Sequence, residues 1–192
     1  MDEVSGVWHF NPDRTEPWAY WDEAFSASEC EKIIALGEAQ TLIKGKAGGD
    51  IKAIRKSDIA FLTISDETSW IFQRVAGILT SLNERFFRFD LTGLAEGLQF
   101  TKYTAPGQRY GRHVDCGIGT PVRKLSFTLQ LSDPDDYEGG DLCLYLSEKA
   151  TPMQRKRGYV AVFPSWTLHE VKPVTKGTRY SLVAWVTGKP FV

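Results

Sequence analysis

Between Leu125 and Ser132 apolar and polar residues alternate without a break: Leu125, Phe127, Leu129 and Leu131 against Ser126, Thr128, Gln130 and Ser132. A period of two suits extended backbone and no helix, so this stretch reads as a strand with one apolar and one polar face. On a central barrel strand the polar face would line a pocket; on an edge strand it would meet water, and the alternation is compatible with both. From about residue 87 onward, further short β-like runs follow: Leu98 to Tyr103, Asp141 to Tyr145, Gly158 to Phe163 and Tyr180 to Val186. Turn signals such as Tyr137-Glu-Gly-Gly-Asp141 separate them. Short strands with glycine and proline turns predict a sandwich or barrel.

The first half has a different texture. Ser26-Ala-Ser-Glu29 is a capping-box pattern, followed by Ile33, Ile34 and Leu36 among polar residues. A second helix is expected from Asp66 or Thr68 to about Arg85, with Trp70, Ile71, Val75, Ile78, Leu79 and Leu82 at helical spacing. Gly48-Gly49 signals a turn, and Ser57 to Thr63 reads as a strand. The expectation is a mostly β protein with flanking α-helices. At 192 residues, one domain over 1–192 is the natural reading, with helices and supporting strands over about 1–97 and a β core over about 98–188.

A formal net charge of −1 gives no reason to expect a polyanionic partner, so nucleic acid is disfavoured. Cys30, Cys116 and Cys143 have no metal-type spacing, and an odd, sparse count suggests reduced thiols rather than a disulfide framework. Cys116 reads as a small side chain in a turn. No apolar run approaches the ~20 residues that span a bilayer. The start, Met-Asp-Glu-Val-Ser-Gly, lacks the regions of a signal peptide. A cytoplasmic protein without membrane attachment is expected.

The chemistry concentrates in Gln108-Arg-Tyr-Gly-Arg-His-Val-Asp-Cys-Gly117 and His169-Glu-Val-Lys-Pro-Val-Thr-Lys-Gly-Thr-Arg179. His113 and Asp115, two apart on an extended segment, point the same way and can bind one metal. With His169 they make two imidazoles and one carboxylate, a set that covers one face of an octahedral Fe(II) and leaves other positions open. Arg179 suits a dicarboxylate, because its fork grips a carboxylate in two places. An HxD triplet alone is weak, and a lone His169 reads as a hydrogen-bonded structural residue; the weight lies in the ordered set. Only three histidines exist, and two fall in this pattern. The third, His9, reads as structural or exposed, and Glu170, beside His169, should point to the opposite side.

The second half resembles the 2-oxoglutarate/Fe(II)-dependent dioxygenases, especially the prolyl-4-hydroxylase branch and its bacterial PKHD-type relatives. The matching pieces are Tyr103 to Asp115, Leu125 to Leu131, Tyr137 to Leu142, Phe163 to Arg179 and Tyr180 to Trp185, together most of residues 98–188. The resemblance implies a double-stranded β-helix, a jelly-roll of cupin-like form supported by the N-terminal helices. It implies that His113, Asp115 and His169 hold Fe(II) and that Arg179 pairs with the distal carboxylate of 2-oxoglutarate. Tyr103 sits where the family often has a tyrosine bonding to that carboxylate. Thr128 and Gln130 lie on the strand that flanks the cosubstrate, Gln130 where relatives often have an aromatic residue. Tyr110 and Trp185 sit where the family's hydroxylases contact substrate, and the segment Lys56 to Ala60 where relatives have a mobile substrate-covering loop. By residue type alone, Tyr103 and Tyr110 also fit ordinary strand aromatics, Trp185 the core and Arg179 the surface. Trp8, Trp18, Trp21, Trp70 and Trp166 read as packing or surface residues.

The activity so implied is hydroxylation of prolyl residues in a peptide or protein, coupled to decarboxylation of 2-oxoglutarate to succinate and CO2. Fe(II), 2-oxoglutarate and O2 are the expected cofactors and cosubstrates, with ascorbate as an accessory reductant. Asp115 favours hydroxylation, since related halogenases free a position for halide by lacking this carboxylate. The alternatives are a hydroxylase of a free amino acid, another side chain or a small metabolite, and, in a different class, a non-catalytic metal-binding cupin-like module. A structural zinc site is normally closed by four ligands, which three do not supply. A nucleic-acid demethylase of AlkB type is disfavoured by charge and motif.

Overall fold

A computed structural model describes residues 15–45, 54–94, 96–116 and 122–190. The Gly48-Gly49 turn, Trp8 and His9 lie outside the described residues. Helix α1 (Ala27–Glu38) begins where the capping box puts it. The Ser26 hydroxyl accepts from the Glu29 N–H at 3.3 Å, and the Glu29 carboxylate accepts from the Ser26 N–H at 2.8 Å. Helix α2 (Ser69–Leu82) buries Ile71, Val75, Ile78, Leu79 and Leu82 on one face. It does not run on to Arg85 as a regular helix. Asn83–Phe87 widen into a π-helical turn that delivers Phe87 to the core, and Arg88 ends it in the left-handed region at φ 57°. The Asn83 amide latches the exit, bonding both the N–H and the carbonyl of Phe89 at 3.0 Å.

The strands are β1 (Ala19–Trp21), β2 (Ile43–Lys44), β3 (Arg55–Lys56), β4 (Asp58–Leu62), β5 (Leu91–Leu94), β6 (Leu98–Thr104), β7 (Arg109–His113), β8 (Arg123–Gln130), β9 (Tyr137–Gly139), β10 (Leu142–Leu144), β11 (Thr151–Pro152), β12 (Val160–Pro164), β13 (His169–Val171) and β14 (Val174–Gly188). One sheet runs β1-β12-β8-β14-β6-β4-β2, with β5 and β9 also paired to β14; a smaller one runs β11-β10-β13-β7-β3. Every described pairing is antiparallel. This is the jelly-roll that the resemblance implied, and one form of the sandwich or barrel that the short-strand pattern predicted. The longest strand, β14, reaches well beyond the Tyr180–Val186 core of its sequence signal, because β9, β6, β8 and β5 each pair with part of it.

The alternating stretch is β8, the third strand of the larger sheet, flanked on both sides by β12 and β14. Its two possible environments are thereby resolved. Leu125, Phe127 and Leu129 face the helix-covered core, with Ile33 of α1 and Val75 and Ile78 of α2. Ser126, Thr128 and Gln130 face the other way, the side on which Tyr103, Leu144, Phe163 and Val174 belong to a second apolar cluster. Burial on both faces explains why β8 is a stable place to mount polar groups.

One expectation is corrected. Lys56 to Ala60, expected in a mobile covering loop, is paired backbone: β3 lies against β7, and β4 lies against β6. Their ladder hydrogen bonds hold these residues in the two sheets. Neither Trp18, Trp21, Trp70 nor Trp166 lines the cleft between the sheets. No helix among the described residues is long and apolar enough to cross a membrane.

Candidate active site

His113 ends β7 and His169 opens β13, and the register sets the two residues directly opposite each other. Asp115 follows in the next loop. Its N–H and that of Cys116 donate to the Ser165 carbonyl at 2.8 and 3.2 Å, which stitches the loop to the turn before His169. The imidazole Nδ1 atoms lie 2.8 Å from the Gly111 carbonyl and 2.9 Å from the Thr167 carbonyl. A carbonyl can only accept, so each Nδ1 carries a proton, and in the neutral ring Nε2 is left to present a lone pair. Both Nε2 atoms turn toward Asp115, 3.5 Å from its Oδ1 and Oδ2 respectively. One ligand atom from each residue lies within 4.8 Å of the others. Neighbouring ligands on a metal with ~2.1 Å bonds stand roughly 3 Å apart, so a small inward adjustment completes the set.

The protonation states suit a cation. Burial by itself would raise the Asp115 carboxyl. The facing His113 and His169 rings in their protonated form, together with the Ser126 hydroxyl, outweigh it and hold the group well below the usual carboxylate range. Burial lowers the His169 imidazole, against the opposing influence of Asp115, which favours the neutral, ligating form. Ser126 on β8 donates to Asp115 Oδ2 at 2.7 Å and lies 3.0 Å from the Ser165 hydroxyl, fixing the carboxylate from behind. Arg123 donates to the Asp115 backbone carbonyl at 3.1 Å, with its guanidinium 4.1 Å from the Trp185 ring centre. Cys116 is outside the ligand group, as its turn position suggested. Glu170 points away, to Tyr145, Lys172 and Arg112.

The same cleft holds Arg179 on β14, only 1% exposed. Its Nη2 donates to Gln130 Oε1 at 2.8 Å and its Nη1 to the Ser181 hydroxyl at 3.4 Å. Among the described residues no carboxylate lies within ion-pair distance of it. A guanidinium buried without an acidic partner is costly unless an anion arrives from outside. The stem of Arg179 passes under Gly140, where an added Cβ would stand 3.0 Å from Arg179 Cδ; φ is +68° there. The Tyr137-Glu-Gly-Gly-Asp141 turn therefore makes room for this arginine as well as reversing the chain.

Tyr103 faces Arg179 across the β6–β14 pairing, its ring centre 5.5 Å from the guanidinium carbon. Tyr110 stacks on His113 at 3.4 Å. Burial raises both phenols, so they remain hydrogen-bond donors at neutral pH. Thr128 lines the cleft, as does Trp185, whose buried Nε1–H has no partner. Gln130 accepts from Arg179 through its side-chain carbonyl, which sets it beside the arginine.

Arg55 escaped the sequence reading. It lies opposite Tyr110 in the β3–β7 pairing, stacks on that ring at 4.5 Å, and carries a buried Nη2 with no partner. Nothing local marks it, since it sits in the basic run Lys52-Ala-Ile-Arg-Lys56. Ser126 and Ser165 were likewise invisible as supports of Asp115. For Ser126 the polar face of β8 was the available signal.

Residues 98–187 match the 2OG-Fe(II) oxygenase superfamily. A PKHD-type hydroxylase of Synechococcus elongatus is 31% identical over 170 residues, 86% of this chain and 76% of the relative. One from Prochlorococcus marinus is 38% identical over 99 residues, 51% of this chain; the match spans only 44% of that relative's length. Among solved structures, a Pseudomonas putida prolyl-4-hydroxylase superposes with a TM-score of 0.72 at 23% identity, covering 92% of this chain and 95% of its own. A Trichoplax adhaerens prolyl hydroxylase, solved with a peptide fragment of hypoxia inducible factor, gives 0.76 at 20% identity, covering 91% and 84%. At such identities these two speak for the shared fold. The oxygenase match falls on the strands that carry the two histidines, the aspartate and the arginine, and the alignment with the Synechococcus protein extends it across most of the chain: this protein belongs to the 2OG-Fe(II) oxygenase superfamily, among the relatives of the PKHD-type hydroxylases.

Proposed function

We infer that this protein is a 2-oxoglutarate- and Fe(II)-dependent hydroxylase acting on prolyl residues of a peptide or protein. The observation that carries the reading is the pairing, in one cleft, of an open three-ligand metal set with a buried arginine that lacks an acidic partner. The donor set fits Fe(II): neutral imidazole nitrogens and an ionised carboxylate, with no fourth ligand in the group. Iron with 2-oxoglutarate and O2 would supply the oxidising chemistry, releasing succinate and CO2.

The chain's own share is positioning. His113, Asp115 and His169 would hold the metal, each imidazole oriented by a backbone carbonyl. Arg179 would hold the far carboxylate of the diacid, with the Tyr103 phenol and the Thr128 hydroxyl beside it. Tyr110, Trp185 and Arg55 would meet the substrate; the unpartnered Trp185 Nε1–H and Arg55 Nη2 are donors suited to peptide carbonyl oxygens. Burial of the walls keeps water from competing for these donors.

The test is succinate formation with Fe(II), ascorbate as reductant, O2 and 2-oxoglutarate. Slow uncoupled turnover is expected without substrate, and none would reject the oxygenase reading. Proline-containing peptides and free amino acids are then screened by mass: a gain of one oxygen on peptides alone supports the prolyl reading, and one on free amino acids alone rejects it. The unpaired thiols of Cys30, Cys116 and Cys143 support a reducing, cytoplasmic setting.

A further inference from the structure

We propose that Gln130 is the positioning residue of the diacid anchor, a neutral strut that fixes the Arg179 guanidinium without cancelling its charge. The inference rests on the oxygenase reading of the cleft. Arg179 and Ser181 lie on one face of β14, and Gln130 pairs with Ser181 across the β8–β14 ladder. From that register its side chain reaches two residues along the neighbouring strand to Arg179 Nη2 at 2.8 Å. The base of the strut is rigid: the Gln130 N–H donates to the Tyr159 carbonyl at 2.9 Å, and its own carbonyl accepts from the Gly158 N–H at 2.8 Å. The side chain is 3% exposed, so water does not compete for the bond.

Residue type is the decisive point. A glutamate has the same reach and would form a stronger, charge-assisted bond, but it would make Arg179 half of an internal ion pair. The positive charge would then be spent before an organic diacid arrived. A leucine has similar bulk and no acceptor, leaving the guanidinium free to turn. Glutamine alone of the three provides an acceptor and no charge. It holds one nitrogen of the fork while the rest of the guanidinium stays turned to the cleft that Arg179 lines.

The experiment compares wild type, Gln130→Leu, Gln130→Glu and Arg179→Leu, loaded with Mn(II) and kept free of O2. Calorimetry measures affinity for 2-oxoglutarate and for succinate, which lacks the keto group and so reports on the carboxylate ends. Mn(II) affinity and melting temperature are recorded beside them. Gln130→Leu should weaken both diacids by roughly tenfold with Mn(II) affinity unchanged. Gln130→Glu should weaken them more, by about a hundredfold, while melting no lower than wild type. Unchanged diacid affinity in Gln130→Glu would overturn the proposal, as would a lower melting temperature with unchanged affinity in Gln130→Leu, which would make Gln130 a packing residue. Should Gln130→Leu fail to fold, Gln130→Glu still decides, because it keeps the acceptor. If wild type and Arg179→Leu bind the diacids equally, the oxygenase reading itself fails; if only the Gln130 variants behave as wild type, this inference alone does.

Discussion

The two ends of the cleft are built on different principles. At the metal end, each histidine is oriented by a carbonyl two residues before it, Gly111 for His113 and Thr167 for His169. The orientation is local to a short segment, and the two segments meet through one strand pairing in the smaller sheet. At the anchor end only the long 3.4 Å bond to Ser181 is local, and the other partners of Arg179 are far away in sequence: Gln130 on β8, Tyr103 on β6 and the Gly140 turn. Local orientation lets a metal set tolerate movement elsewhere, whereas a buried cation needs the whole sheet to hold its place. The metal end should therefore fail by loss of ligands, and the anchor end by loss of fit.

Replacing a ligand is the largest perturbation. His169→Ala should abolish stoichiometric Mn(II) or Fe(II) uptake in a calorimetric titration, because two ligands cannot hold the ion tightly. Circular dichroism should stay native, and a variant that still bound one metal at wild-type affinity would contradict the ligand set. Arg179→Ala comes next. It should weaken 2-oxoglutarate by about 2–4 kcal/mol, the scale for losing a buried charge partner, while metal uptake stays intact. Equal loss of both would erase the distinction between the ends.

Gly140→Ala sharpens the contrast, because it acts on the anchor only through the fold. The residue sits at φ +68°, and a Cβ would stand 2.9 Å from Val174 and 3.0 Å from the Arg179 stem. A cost of about 1–3 kcal/mol is expected, read as a melting temperature several degrees lower. Diacid affinity should fall with it, and metal affinity should not. Ser126→Ala is the smallest change and the mirror case, removing the 2.7 Å bond that steadies Asp115. Metal affinity should drop about tenfold, the lower end for an outer partner of a ligand, with diacid affinity for the fully metal-loaded protein nearly unchanged.

The same division governs what the sequence disclosed. The Ser26–Glu29 box, the apolar stripe of α2 and the alternation of β8 are periodic or short-range signals, and each matches its element. That His113, Asp115 and His169 stand together was legible because ligand chemistry restricts residue type and spacing. The contact between Gln130 and Arg179 was not legible: a neutral amide carries no local mark of the arginine it will meet, and only the β8–β14 register brings them together. Arg55 was missed for the same reason, its contact with Tyr110 arising from the β3–β7 pairing. The π-helical turn after Leu82 also left no periodic trace, since residues 83–87 still read as helix-forming. Long-range side-chain pairs are decided by registers that one sequence does not spell out.

The most direct test is a crystal structure of the protein loaded with Mn(II) and 2-oxoglutarate in the absence of O2. One ion is expected, bonded at roughly 2.1–2.2 Å to His113 Nε2, His169 Nε2 and an Asp115 oxygen, with the far carboxylate of the diacid on Arg179. An ion bound elsewhere, or a diacid that leaves Arg179 untouched, would contradict that arrangement.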